Sequence, residues 1–389
     1  MSNDSRPRRG ASSRSRTRRT RKKGWRALVA PLAALIAVVG VCLLGAWFLT
    51  PEAALTASPG SAQTRQLPAE RTAALPPLKL PDDEGLHRSA MEWWYYSGIL
   101  DAKTGGRYAF HMAVFVADAL VKHTVMHVAL TDLQTGKRYV GQTRTGGVPA
   151  QGAAHGFDFS QDRWQAAASG ASHVLRASFD GFSIALDLAD SGQVVPHRAA
   201  GSATPGLLDF GQSGISYYYS RPRISARGEL SVGPTRVPVT GNVWFDHQWG
   251  DFDVLSLGWN WFALHLADGS DVMLYELFDA QGRRFMTAGT VANANGFLPL
   301  EPGAVELTPL KTWTSPRTAI GYPVEWKVKL PSGELIVKPF FADAEFDSRE
   351  TTANVYWEGP VKVTGSITGE GFLELSGYDR LSMSRPNGK

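Results

Sequence analysis

From about residue 81 onward, apolar and polar positions alternate in short runs separated by turn signals. "EWWYYSGILDAKTGGRYAFHMAVFVAD", "VMHVALTDLQTGKRYVGQTR" and "HVLRASFDGFSIALDLADSG" read as strands joined at "KTGG", "LQTGK" and "FDGF". Glycine supplies the positive φ that tight hairpins need. The texture returns after Pro234 in "VPVTGNVWFDHQWGDF", "GWNWFALHLADGSDVMLY" and "ANVYWEGPVKVTGSITGEGFLELSGYDRL". Strands recurring every 8–12 residues or so predict all-β sandwiches or barrels with few, short helices. The length and the two runs predict two such domains, at 81–237 and 238–389.

The head of the chain follows another pattern. Residues 27–49, "ALVAPLAALIAVVGVCLLGAWFL", carry no charge. As a helix they would reach about 35 Å, enough to span a bilayer. A signal peptide has a shorter apolar region of about 7–15 residues, so an uncleaved anchor is the expected reading. Residues 1–26 hold eleven Lys/Arg and one acid. That basic tail predicts a cytoplasmic N-terminus and a single-pass inner-membrane protein whose globular part is periplasmic or extracellular. Residues 50–80, rich in Pro and Ala, predict a linker.

Composition sharpens this picture. The formal charge of +4 conceals the basic tail; the rest of the chain has 29 basic and 35 acidic residues. No basic patch follows the head, so nucleic acid is not an expected partner. The high Gly (40) and Trp (12) contents fit turns and aromatic strands. Cys42 is the sole cysteine, which rules out an intrachain disulfide.

Several stretches combine acids with aromatic rings. In "MEWWYYSG", alternation places Glu92, Trp94 and Tyr96 on one strand face, with Trp93 and Tyr95 on the other. If the first face is interior, burial would raise the Glu92 pKa. In "GNVWFDHQWGDF", Trp244, Asp246 and Gln248 share one face, and Phe245, His247 and Trp249 the other. "SYYYSRPR" turns Tyr218 away from Tyr217 and Tyr219, and "GWNWFALH" aligns Trp259, Trp261 and His265. Core packing alone would account for any single ring among these. His123 and His127 lie about 13 Å apart along one strand face, too far to share an ion. HExxH, CxxC and GxSxG signatures are absent, so no metal and no cofactor are expected, and a serine hydrolase has no support.

In this order, "HRSAMEWWYYSG", "MHVALTD", "SYYYSRPR", "GNVWFDHQWGDF", "GWNWFALHLADGSDVMLY" and "YWEGPVKVTGSITGEGFLELSGY" resemble the AttH-like/carotenoid 1,2-hydratase (hydroxyneurosporene synthase) family. The resemblance covers most of residues 85–380 and implies paired lipocalin-like, calycin-type antiparallel β-barrels. It implies a lyase reaction, the addition of water to an isoprenoid alkene through a carbocation. For that chemistry it points to Asp246 as the acid, with Trp244 beside it and Glu92, Trp94, Tyr218 and Trp259 as the binding or supporting shell. The apolar span and exported domains resemble the AttH branch more than the pigment branch. Three functions remain open at this point: a cofactor-independent acid-catalysed hydratase, a non-catalytic binder of an apolar ligand in envelope lipid or lipoprotein traffic, and a secreted hydrolase. All three expect an apolar small molecule or lipid in the site and membrane contact through residues 27–49.

Overall fold

The structure is a computed structural model that describes residues 75–384, apart from 119–120, 150–155, 191–192, 199–203 and 302. The basic tail, the apolar span 27–49 and most of the linker lie outside the described residues. No helix among the described residues is long and apolar enough to cross a membrane.

The described residues form two curled antiparallel sheets, of twelve and ten strands. Each is largely a run of neighbouring hairpins joined in its middle by one long-range pairing, and its two end strands do not pair with each other, so each sheet is a curled half-barrel rather than the closed barrel expected. In the first sheet, Met91–Ala102 pairs with Thr235–Phe252. In the second, Leu257–Leu266 pairs with Gly369–Ser376. Helical structure among the described residues is confined to three short 3-10 turns and Tyr378–Ser384, as the alternating pattern predicts. The hairpin glycines behave as expected, with Gly136 at φ 74° and Gly181 at φ 86°.

The expected boundary at 237/238 falls inside the strand Thr235–Phe252. That strand pairs on both flanks within the first sheet, and the chain crosses to the second sheet through the turn Val254–Ser256. A sequence division at a turn signal misses this because a central strand of the first sheet is the last of that sheet's strands along the chain.

Three large apolar cores organise the described residues. One lies within the curl of the first sheet, around Trp94, Tyr96, Phe159 and Phe245. Another lies within the second, around Trp326, Trp357 and Phe262. The third joins the two sheets and takes Tyr95, Tyr218 and Trp244 from the first, with Trp261, Tyr275 and Leu277 from the second. Strands Met91–Ala102 and Thr235–Phe252 therefore bury both faces. Strands covered on both sides tolerate apolar side chains at consecutive positions, which accounts for the unbroken aromatic run at 93–96.

Candidate active site between the sheets

Strand register assembles the site. Tyr95, Asp246 and Ser220 lie directly opposite one another across three strands, and Trp93, Gln248 and Tyr218 form the next row. Facing them, the second sheet presents the row Tyr275, Trp261, Glu374 and Glu358. A cavity of about 300 Å³ opens between these faces, lined chiefly by Trp93, Phe115, Phe252, Trp259, Trp261 and Tyr275. Its polar lining includes Asp246, Tyr218, Glu358 and Glu374.

Asp246 is buried and accepts three hydrogen bonds. Tyr218 Oη donates at 2.8 Å, Trp244 Nε1 at 2.6 Å, and Ser220 Oγ also donates. Trp261 Nε1 of the second sheet donates to Tyr218 Oη at 2.9 Å. Burial raises the Asp246 pKa from 3.8 to about 7, outweighing the donors from Ser220, Tyr218 and Trp244 that favour the carboxylate. A neutral-to-ionised switch near neutral pH is what a general acid requires.

Behind Asp246 the polar chain continues. His197 Nε2 lies 2.6 Å from Ser220 Oγ, and His197 Nδ1 lies 3.0 Å from Thr290 Oγ1. Burial lowers the His197 pKa to about 3, so the ring is neutral. Because Ser220 spends its proton on Asp246, it accepts from His197 Nε2–H, and His197 Nδ1 accepts from Thr290. Protein groups thus fix the tautomer and orient every donor toward the acid.

Across the cavity, Glu358 and Glu374 are direct cross-strand partners. Tyr95 Oη donates to Glu358 Oε1 at 2.5 Å, reaching from one sheet to the other. His111 Nδ1 lies 3.1 Å from the same oxygen, and burial holds this imidazole well below its ordinary pKa. Burial and the adjacent Glu374 hold Glu358 well above the usual carboxyl range. Glu374 is also raised, by burial foremost and further by Asp246, while a hydrogen bond from Trp259 opposes the rise. Two buried carboxyls this close favour sharing a proton over ionising together.

The sequence-derived shell divides between two faces. Asp246, Trp244, Tyr218 and Trp259 meet at or beside the cavity. Glu92 and Trp94 do not, because they lie one residue out of phase with Tyr95 and point into the first sheet. Trp94 packs on Phe157, Phe159 and His247. Glu92 Oε1 lies 2.8 Å from His247 Nε2 and 2.7 Å from His87 Nδ1. The pKa of Glu92 is lowered: desolvation pushes it up, but the two imidazoles together prevail. The rise expected from burial alone is therefore reversed.

Sequence reasoning did not single out Glu358, Glu374, Tyr95 or His111 as site residues. The available signal was an acid inside an apolar strand run, in "YWEGPV" and "FLELSG". Lone carboxylates are rarely buried without a partner, and the Tyr95 and His111 partners of Glu358 come from strands more than 200 residues earlier.

Comparison with known proteins agrees with the family resemblance. Residues 71–378 match the profile of the AttH-like family. Kievitone hydratase of Fusarium solani subsp. phaseoli is 24% identical over 197 residues, covering 49% of this chain. The match takes in 55% of that relative, so the chain spans about half its length. Dehydratase AsqC of Emericella nidulans is 25% identical over 272 residues, 63% of this chain and 71% of the relative. An AttH crystal structure from Nitrosomonas europaea aligns with a TM-score of 0.69 at 28% identity, covering 78% of this chain and 98% of that one. Kievitone hydratase of Nectria haematococca shares the fold at a TM-score of 0.64 and 18% identity, over 78% and 94% of the two chains. With a family profile that runs through nearly all the described strands, the chain belongs to the AttH-like family.

Proposed function

We propose that the protein is a cofactor-independent hydratase that adds water to an alkene of an isoprenoid-like lipid, or removes it in reverse. The observation that carries this reading is the placement of Asp246 and the Glu358–Glu374 pair on opposite walls of one aromatic cavity. The hydratase and dehydratase names of the relatives support the reaction class.

In the forward direction, neutral Asp246 delivers its proton to the less substituted alkene carbon. The electron pair of the C=C bond forms the new C–H bond and leaves a carbocation on its neighbour. Faces of Trp93, Trp261 and Tyr275 line the cavity, and a desolvated cation–π contact contributes up to about 2 kcal/mol. A water held at Glu358 and Glu374 attacks the cation, and its proton passes to that carboxyl pair. Solvent exchange then returns one proton to Asp246 and removes one from the pair, so the net change is alkene plus water to alcohol. Tyr218 keeps Asp246 in register and, when Asp246 is neutral, can accept its proton at Oη.

The same reading places the protein at a membrane, with residues 27–49 as a single-pass anchor and lipocalin-like domains on the periplasmic or extracellular side. The charge-free span and its basic flank support that topology. An apolar substrate would then lie close to its bilayer source.

The test incubates the protein with acyclic isoprenoid alkenes in H₂¹⁸O and follows the products by mass spectrometry. The expected product carries one ¹⁸O, and both Asp246→Asn and Glu358→Gln abolish its formation while retaining ligand. Lipid that co-purifies and binds unchanged, with no label incorporated by wild-type protein, would establish a non-catalytic carrier instead.

A further inference from the structure

A second polar cluster lies on the opposite face of the strands that carry Asp246. His87 Nδ1, a Glu92 carboxylate oxygen and His247 Nε2 converge, with the three candidate donor atoms all within 4.8 Å of one another. Glu92 and His247 are fully buried, whereas the His87 side chain is 21% exposed. We infer that His87, Glu92 and His247 form a binding site for a divalent transition-metal ion, with zinc as the expected occupant.

The donor set is the first argument. Two imidazoles and one carboxylate make up a familiar zinc environment, with a fourth position left for water. The exposed edge of His87 provides a way in from solvent. Arg221 of the first sheet is paired with Glu84 and Asp190 rather than with Glu92.

The outer partners are the second argument. A metal-bound imidazole normally donates its other N–H to a fixed acceptor. His87 Nε2 lies 3.5 Å from Asp83 Oδ1, and His247 Nδ1 lies 3.3 Å from Tyr219 Oη. Each ring therefore has an oxygen behind it and turns its other nitrogen toward Glu92. With an ion in place, both distal N–H groups have acceptors and both proximal lone pairs have a ligand role. Without one, His87 has carboxylate oxygens at both nitrogens, and a neutral ring can donate to only one.

Ring packing is the third. His87 stacks on Trp249 with centroids 4.1 Å apart and planes 3° from parallel, and His247 stacks on Trp94 at 4.6 Å. The backbone N–H of His87 donates to the second Glu92 oxygen at 2.8 Å. Both rings and the carboxylate are thus pre-oriented, which keeps the ordering cost of binding low. An ion here would pin the turn Asp82–Glu84 and its following segment to the first sheet.

The test uses the full chain without a histidine tag, stripped with chelator and titrated with Zn²⁺ and, separately, Co²⁺ near pH 7.5. The expected result is one Zn²⁺ per chain, a higher unfolding midpoint, and visible Co²⁺ absorption bands of low-symmetry nitrogen–oxygen ligation. His87→Ala removes a donor that lies outside both sheets, so the fold persists and the stoichiometric binding is lost. Asp83→Asn keeps all three donors and is expected to weaken Zn²⁺ binding about 10- to 100-fold. Absence of stoichiometric uptake by wild-type protein at micromolar metal would overturn the inference, as would equal uptake by wild type and His87→Ala.

Discussion

Asp246→Asn separates the acid's titration from its packing. The wild-type carboxyl is raised from 3.8 to about 7 by burial, which disfavours its ionised form by about 4 kcal/mol relative to the neutral one. The unfolded chain ionises Asp246 near 3.8, while the folded chain holds the proton to about 7. Between those values the folded state binds more protons, so stability from this group is full below about pH 4 and is lost as pH rises toward 7. Asparagine is neutral throughout. It can keep Oδ1 toward Trp244 and Ser220 and direct Nδ2–H at Tyr218 Oη, which imitates the protonated acid. Denaturant unfolding of both proteins should therefore give similar stabilities only below about pH 4, with the variant gaining by a further ~3 kcal/mol relative to wild type between about pH 5 and about pH 8. Subtracting one protein from the other removes the contribution of Glu358 and Glu374 except for the part that the Asp246 charge itself imposes on Glu374. A difference that stays flat from pH 5 to 8 would show that Asp246 does not change protonation in that window, and the acid assignment would fall with it.

Further outcomes follow from single contacts. Hydration should decline as pH rises through about 7, where Asp246 loses its proton; a rate that climbs through that pH contradicts the proposal. Trp244→Phe removes the 2.6 Å donor to the Asp246 carboxylate, and the alkaline limb of the pH–rate profile should move up by about one to two pH units. Tyr95→Phe leaves Glu358 without its phenol donor, costing about 1–3 kcal/mol of stability by denaturant titration. Trp94→Ala empties part of the first core, costing about 3–5 kcal/mol. Binding of an apolar ligand between the sheets, followed by fluorescence titration, should be unchanged in that variant.

Much of the fold was legible because its signals are local. Hairpin turns need only a few residues, and Gly136 and Gly181 mark theirs by conformation. Side-chain facing follows from alternation, which separated Asp246 from His247 and Tyr218 from Tyr219 as the structure does. Strand pairing is not local, and there the reading stopped. Tyr95 faces Asp246 only because the first and last long strands of the sheet adjoin in that register. Assigning Glu92 and Trp94 to the Asp246 shell required the register to slip by one residue, which turns every side chain to the other face. The Glu358–Glu374 pair depends on a cross-strand match within one sheet and on Tyr95 reaching over from the other.

The two faces of this strand pair also show why burial alone does not decide a carboxyl's charge. Asp246 and Glu92 both sit in apolar surroundings, on strands Thr235–Phe252 and Met91–Ala102 that are hydrogen-bonded neighbours. Asp246 is met by an indole, a phenol and a serine hydroxyl, none of which carries charge. Those donors soften the desolvation cost without cancelling it, and the acid remains available as a proton source near pH 7. Glu92 is met by two imidazoles and a backbone N–H, and the balance reverses in favour of the carboxylate. Two oriented imidazoles beside a carboxylate offer donors to a cation, whereas a neutral acid among aromatic rings can protonate an alkene. The same alternation that buries the strand pair on both faces keeps these chemistries apart. Occupying the Glu92 face with metal should therefore stabilise the first sheet.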